Sequence, residues 1–270
     1  MIAMLRKIGR LFLAFIPDNY YFYLFCKRYV DRYNGENSGD IRVNGELSLL
    51  KKMLPGAKTV FDIGANVGEW AELALSIDSK LHLHCFEPSK VTFSKLKDNH
   101  FPANVACNNF GLSSVAGEKK LFIFNDGAGI NSLYQRTGLE KFGIETQTKE
   151  EIVKLEVFDD YCRRNNIDIV DFVKVDVEGH ELEVFKGMAD SLAKGNIGVI
   201  QFEYGGCNID SKVLLKDIWS FFSAFPYTFF KLYPNNIKRV SGYSQEFENF
   251  QYQNWAIILN KRVESGVVAF

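Results

Sequence analysis

From Thr59 onward, short apolar runs alternate with amphipathic stretches. Thr59 to Ile63 is one such run and ends in a glycine turn, and Trp70 to Ser76 carries helical spacing. Leu81 to Phe86 reads as a second strand, and Pro88 favours the first turn of a helix running to about Asn99. Asn104 to Asn108 is a third strand. Phe172 to Val177 is a fourth, followed by a helix over Glu181 to Leu192. Ile197 to Phe202, a helix over Ser211 to Phe225, and strands at Tyr227 to Leu232 and Trp255 to Leu259 complete the series. This order predicts an α/β, doubly wound fold with a mostly parallel sheet. The last two strands leave no room for a full helical crossover, so an antiparallel ending is expected.

Two segments stand outside the alternation. Residues 111–157 contain strands at Lys119 to Phe124 and Ile152 to Val157. Between them lies the polar, glycine-rich run Asn125-Asp126-Gly127-Ala128-Gly129-Ile130-Asn131-Ser132-Leu133. A long segment of this kind inside a compact domain is either a working loop or a disordered one, and here it would form the acceptor side of a pocket. Residues 1 to about 33 read as two short aromatic-rich helices broken at Pro17. The first, with Arg6, Lys7 and Arg10, either rests on a membrane surface or packs on the body as a cap. The polar, turn-forming residues 34–45 suggest a boundary between an N-terminal helical extension, 1–45, and a main domain, 46–270.

Composition narrows the class. The 270 residues are 47% hydrophobic and 24% charged, which suits a globular protein with a sizeable core. A net charge of −1 gives no general attraction for nucleic acid. The apolar run Leu11 to Ile16 is far short of the roughly 20 residues that cross a bilayer. Five widely spaced cysteines form neither a zinc pattern nor a disulfide framework, and Cys85 sits in an apolar strand. A cytoplasmic setting, with peripheral membrane contact through the N-terminal helix as an alternative, follows. Twenty-four Phe and 12 Tyr are enough to build a core and to line a groove for sugars or flat rings. His82 and His84 alternate on a strand with no third ligand near, so a strand face is expected rather than a metal pair. A homodimer is left open.

The first strand ends in Asp62-Ile63-Gly64-Ala65-Asn66-Val67-Gly68, where ligands of doubly wound sheets bind. Gly64 and Gly68 let the backbone turn and approach a ligand closely. Asp62 suits a cationic amino group. Glu87, at the end of the second strand, suits a pair of ribose hydroxyls, and Pro88 follows it. A dinucleotide site would need a middle glycine at Asn66. S-adenosylmethionine has an ammonium, a carboxylate and a ribose but no phosphate, and fits better. Gly111 borders the adenine side after the third strand. An NAD-type oxidoreductase and a non-catalytic binding or assembly protein are the competing alternatives.

The run Lys174-Val175-Asp176-Val177-Glu178-Gly179-His180-Glu181 crowds polar groups onto the end of the fourth strand, and Glu203 ends the fifth. With Phe61 to Gly68 and Phe86-Glu87-Pro88, this run makes residues 58–205 resemble the FkbM-type methyltransferase family. The resemblance implies a Rossmann-like class I methyltransferase fold with a seven-stranded sheet. It implies O-methylation of a hydroxyl on a sugar, surface-glycan precursor, polyketide or other natural product. It places Asp62, Gly64, Asn66, Gly68 and Glu87 at the cofactor, with Ala65, Pro88, Gly111 and Asp176 as further candidates for cofactor contact. Asp176 to Glu181 would face the reaction centre. His180 is the first candidate for a base by its ordinary pKa, with Asp176 or Glu178 as alternatives. Asp176, Glu178 and Glu203 are an alternative carboxylate set for Mg²⁺.

Overall fold

The computed structural model describes residue 13 and residues 18–124, 127, 129–140, 143 and 148–265. The first N-terminal helix and its break at Pro17 lie outside these residues, as do Asn125, Asp126 and Ala128 of the glycine-rich run.

Among the described residues, two helices precede the sheet, α1 at Tyr20–Asn34 and α2 at Glu46–Met53. The main sheet takes β1 (Thr59–Ile63), β2 (His82–Phe86), β3 (Val105–Asn108), β7 (Val170–Val175), β8 (Ile197–Tyr204), β9 (Tyr227–Tyr233), β10 (Asn236–Val240) and β11 (Gln253–Leu259). Its order is β10-β9-β11-β8-β7-β1-β2-β3. β3, β2, β1, β7 and β8 run parallel, and β11 lies antiparallel between β8 and β9. The central strands are near-continuous apolar runs because helices cover both faces. Phe61, Val173, Val175 and Phe202 pack on one face; Val60, Phe172 and Val199 pack on the other.

The sheet has eight strands where seven were expected. The extra one, β10, pairs with β9 across the turn Pro234-Asn235. Its sequence, Asn-Ile-Lys-Arg-Val, buries Ile237 while Lys238 and Arg239 stay exposed, the charged pattern of a sheet edge. The stretch that broke the alternation folds as a second sheet of β4 (Gly111–Ser113), β5 (Gly117–Ile123) and β6 (Lys149–Val157), in the order β4-β6-β5.

Helices follow the carboxyl ends of the central strands. α3 (Glu69–Ile77) follows β1 and α4 (Lys90–Asp98) follows β2. The α4 helix starts just after Pro88, with the Ser89 hydroxyl as its cap. The helix expected over Glu181 to Leu192 is two pieces, α6 (Glu181–Lys186) and α7 (Ala189–Ala193), with α5 (Phe158–Arg164) packed beside them. A side chain at Gly187 would overlap the Ser113 carbonyl, so the chain bends there. Asp159 then accepts the Asp190 and Ser191 backbone N–H groups and restarts the helix. The expected Ser211 to Phe225 helix is likewise shorter: α8 covers Cys207–Ser211 and α9 covers Leu215–Phe222. Lys212 between them adopts a left-handed conformation. Last comes α10, Asn260–Glu264.

β1 has β2 on one side and β7 on the other, and chain order reverses there. The carboxyl ends of β1 and β7 therefore open the crevice that such sheets use for ligands.

Candidate active site

Gly64 ends β1 at φ +87°, and its neighbour across the crevice is the Asp176 backbone. The Asp176 N–H donates to the Ile63 carbonyl at 2.9 Å, while Gly64 and Ala65 donate to the Phe86 carbonyl. The turn thus ties the ends of β1, β2 and β7 together. Asn66 also sits at positive φ, and its N–H donates to Glu87 Oε2 at 3.1 Å. The Ser89 N–H donates to Glu87 Oε1 at 2.9 Å. Glu87 is therefore locked in place, with a lone pair on each oxygen left for ribose hydroxyls. Burial raises its pKa to about 7 against those two bonds.

Two adjoining clefts, of about 710 and 960 Å³, meet at Gly64, Asn66, Gly129 and Asp176. Glu87, Pro88, Thr92, Gly111, Leu112 and Leu155 line the first. Asp62, Ala65, Trp70, Lys174, Glu203 and Tyr252 line the second. The sequence-predicted cofactor residues are thus brought to one trough, except that Gly68 serves it from behind. Gly68 starts α3 at φ +96°, packed against Leu96 and Asn99. Four buried polar atoms on these walls have no protein partner: Asp62 Oδ2, Asn66 Oδ1, Trp70 Nε1 and Thr92 Oγ1. Buried polar atoms are normally paired, so a polar ligand is called for. An ammonium, a carboxylate and a ribose meet this mix of donors and acceptors.

Burial raises the Asp62 carboxyl to about 7, opposed by the attraction of Lys174 and helped by Asp176. A cationic amino group beside Asp62 favours the ionised form. S-adenosylmethionine is expected to bind roughly tenfold more tightly at pH 7 than at pH 5.5, because Asp62 ionises over that window while the ligand's amino group stays protonated. Calorimetry should show a flatter profile for Asp62→Asn.

Lys174 was missed as a site residue, although a lysine inside an apolar strand was visible. It is buried on β7, with Nζ 3.2 Å from Asp176, 3.5 Å from Glu203 and 3.6 Å from Glu46. Burial pulls its pKa down, but these three carboxylates outweigh burial and hold it well above its ordinary value. Glu203 also accepts from the Tyr252 hydroxyl at 2.8 Å; burial and Asp176 raise it to about 8.

The run after β7 is a tight turn. Glu178 and Gly179 both take positive φ, and Glu181 Oε1 accepts the Val177 and Gly179 N–H groups. Glu181 thereby caps the turn it follows, and it lines neither cleft. Glu178 pairs with Arg136 at 2.7 Å, and its carbonyl accepts from the Ser132 hydroxyl. Burial and Asp176 push Glu178 well above the carboxylate range, with Arg136 opposing. Arg136 and Tyr134 come from the loop after β5, where no sequence signal marked them.

His180 is 1% exposed. Its Nε2 lies 3.0 Å from the Ser113 hydroxyl and its Nδ1 3.0 Å from the Tyr134 hydroxyl. Burial pushes its pKa down to about 4, and Lys119 adds to the shift. At neutral pH it is an uncharged ring with both nitrogens engaged, a poor place to put a transferred proton. His180 and Glu178 line the first cleft only, whereas Asp176 keeps 28% of its side chain exposed and lines both.

The carboxylates considered for Mg²⁺ face cations already: Asp176 and Glu203 face Lys174, and Glu178 faces Arg136. Among the described residues no group of three His, Cys, Asp or Glu is placed to hold a metal ion. This donor set fits ion pairs better than Mg²⁺. His84 on β2 contacts the Tyr161 hydroxyl at 2.8 Å and Phe61, as a strand-face residue would.

Fold and trough together have the form of a Rossmann-like enzyme with room for a nucleoside-type cofactor at its switch point. A profile for the methyltransferase FkbM domain matches residues 62–229. The chain belongs to the FkbM methyltransferase family and is an S-adenosylmethionine-dependent methyltransferase. It is similar to the hexuronic acid methyltransferase AglP of Haloferax volcanii, 28% identical over 64% of this chain and 68% of that one. It is also similar to the methyltransferase sdnD of Sordaria araneosa, 29% identical over 61% of this chain and 74% of that one. A solved FkbM methyltransferase from Methylobacillus flagellatus aligns at 14% identity and a TM-score of 0.47, over 74% of this chain and 43% of that one.

Proposed function

We propose that the protein transfers a methyl group to a hydroxyl of a sugar or surface-glycan precursor, with Asp176 receiving the hydroxyl proton. The observation that carries this is the place of Asp176, a partly exposed carboxylate lining both clefts where β1 and β7 meet. The similarity to a hexuronic acid methyltransferase supports a sugar over another natural product as acceptor.

When bound, S-adenosylmethionine supplies a methyl group already activated on a sulfonium. The chain's own task is alignment and proton removal. Glu87, fixed by Asn66 and Ser89, would hold the ribose, and Asp62 the amino group. Pro88, Gly111, Leu112 and Leu155 would give the base an apolar slot. The acceptor C–O–H would lose its proton to an Asp176 oxygen as its oxygen gains the methyl, the methyl's bond to sulfur breaking with its electron pair left on the now neutral thioether. Lys174 holds that carboxylate at the crevice, and the Ser113–His180–Tyr134 chain braces the wall beside it. Five free cysteines fit a reducing, cytoplasmic setting.

The test is mass spectrometry of sugar nucleotides and surface glycans incubated with the enzyme and methyl-labelled cofactor. A gain of one methyl on a sugar hydroxyl is expected. Transfer confined to non-sugar hydroxyls would discard the acceptor class. Glu87→Ala is expected to weaken S-adenosylhomocysteine binding roughly 10- to 100-fold in calorimetry, the loss of one charge-assisted bidentate contact.

A further inference from the structure

Helix α1 turns the wrong side outward for a helix that covers a core. Leu24, Lys27, Asp31 and Asn34 share one side at helical spacing and are half-buried, as is Cys26 between the rings of the other side. Lys27 and Asp31 on that side pair with each other at 2.8 Å. Phe22, Phe25, Tyr29 and Tyr33 run along the opposite side, all exposed, with Tyr29 at 64% and Tyr33 at 71%. The Tyr29 and Tyr33 rings stack at 6.4 Å. No residue of α1 is buried.

The helix is nevertheless fixed to the body. Asn19 caps its start and Gly35 its end. Beyond Gly35, buried Glu36 takes Lys231 Nζ at 3.0 Å and Asn249 at 2.9 Å, and the Asn37 N–H donates to the Tyr252 carbonyl. An aromatic stripe is thus held out on a firm support. A contiguous exposed patch of this kind marks a contact surface.

Charge selects the occupant. Residues 1–34 hold six Lys and Arg against two Asp, while the whole chain carries −1. Asp31 is matched by Lys27, and Arg28 and Arg32 are left beside the stripe. With Arg42 they line a cleft of about 870 Å³ between α1 and the loop after it. Two copies meeting through this face would bring like charges together with no free acid on the helix to answer them. Tyr, with an apolar ring and a polar tip, is a residue of membrane–water interfaces. Among the described residues no helix is long and apolar enough to cross a membrane.

We propose that α1 docks the protein flat on a bilayer that contains anionic lipid. Phe22, Phe25, Tyr29 and Tyr33 enter the headgroup boundary, and Arg28 and Arg32 meet lipid phosphates. This stands apart from the methyl-transfer function and does not rest on it.

The experiment is co-sedimentation of the full chain with vesicles of phosphatidylcholine mixed with phosphatidylglycerol, and of phosphatidylcholine alone. Binding to the mixed vesicles is expected. The variant Phe22→Ser, Phe25→Ser, Tyr29→Ser, Tyr33→Ser should bind them roughly tenfold or more weakly. Arg28→Gln with Arg32→Gln should lose roughly tenfold on the mixed vesicles. S-adenosylhomocysteine affinity, measured on each protein, should be the same, which reports an intact fold separately from lipid binding. Wild-type protein left in the supernatant would overturn the proposal. So would variants that bind vesicles like wild type, since residues 1–16 would then suffice. A wild-type dimer that the serine variant dissolves, without vesicle binding, would assign the face to a second copy instead.

Discussion

Gly64→Ala is expected to abolish measurable S-adenosylhomocysteine binding and to lower the melting temperature by roughly 6–12 °C. Two effects combine at this position. Gly64 sits at φ +87°, where an L side chain is strained. An added Cβ would also overlap the Asp176 carbonyl oxygen, a backbone atom one residue past β7. That oxygen cannot swing aside as a flexible side chain would, so the β1 and β7 ends must separate. Together these cost about 3 kcal/mol, and each kcal/mol moves the midpoint of a domain this size by roughly 2–4 °C. Separation opens the trough at the point shared by its two clefts, which is why binding suffers beyond stability. Gly56→Ala is the control. It has a similar φ of +80° but open space around its Cβ position, so only the conformational cost remains, about 1–2 kcal/mol. Calorimetric titration and thermal unfolding of the pair would check the prediction. Equal losses in both variants would show that the β1–β7 contact does not set the site.

The same contact shows why this part of the site was legible in the sequence. A parallel strand buried on both faces is an apolar run, so polar residues at its end stand out: Asp62, Glu87, Asp176 and Glu203 all follow such runs. Gly64 and Gly68 then mark the turn. Lys174 was equally visible as a charge within an apolar strand, but its three carboxylate partners come from α2, β7's own end and β8, and only folding brings them together. Arg136 and Tyr134 had no pattern to betray them, because a loop position carries no period. The β4-β6-β5 sheet was half visible: two of its strands were expected, while β4 is only three residues long. The role first suggested for His180 followed from its ordinary pKa. Burial between Ser113 and Tyr134, which speaks against that role, is a tertiary fact.

Asp176→Asn should lower turnover by roughly 10²- to 10⁴-fold, while S-adenosylhomocysteine affinity stays within a few-fold of wild type. The amide keeps the shape of the side chain but has little affinity for the acceptor's proton. Folding should survive, because Lys174 retains Glu203 at 3.5 Å and Glu46 at 3.6 Å. His180→Ala supplies the contrast. It removes no group that takes the proton, but it leaves the Ser113 and Tyr134 hydroxyls without their shared partner. Unmaking two hydrogen bonds in a buried wall costs about 1–3 kcal/mol of stability. Turnover should fall by roughly tenfold or less, and the pH–rate profile should keep its wild-type shape, because a ring with its pKa near 4 does not titrate in the working range. Single-turnover rates with labelled cofactor, measured from pH 6 to 9 (about the range in which the protein is expected to work), separate the two residues. If His180→Ala were the more damaging substitution and erased the acidic limb of the profile, the histidine would be the base and Asp176 would be left to position the cofactor.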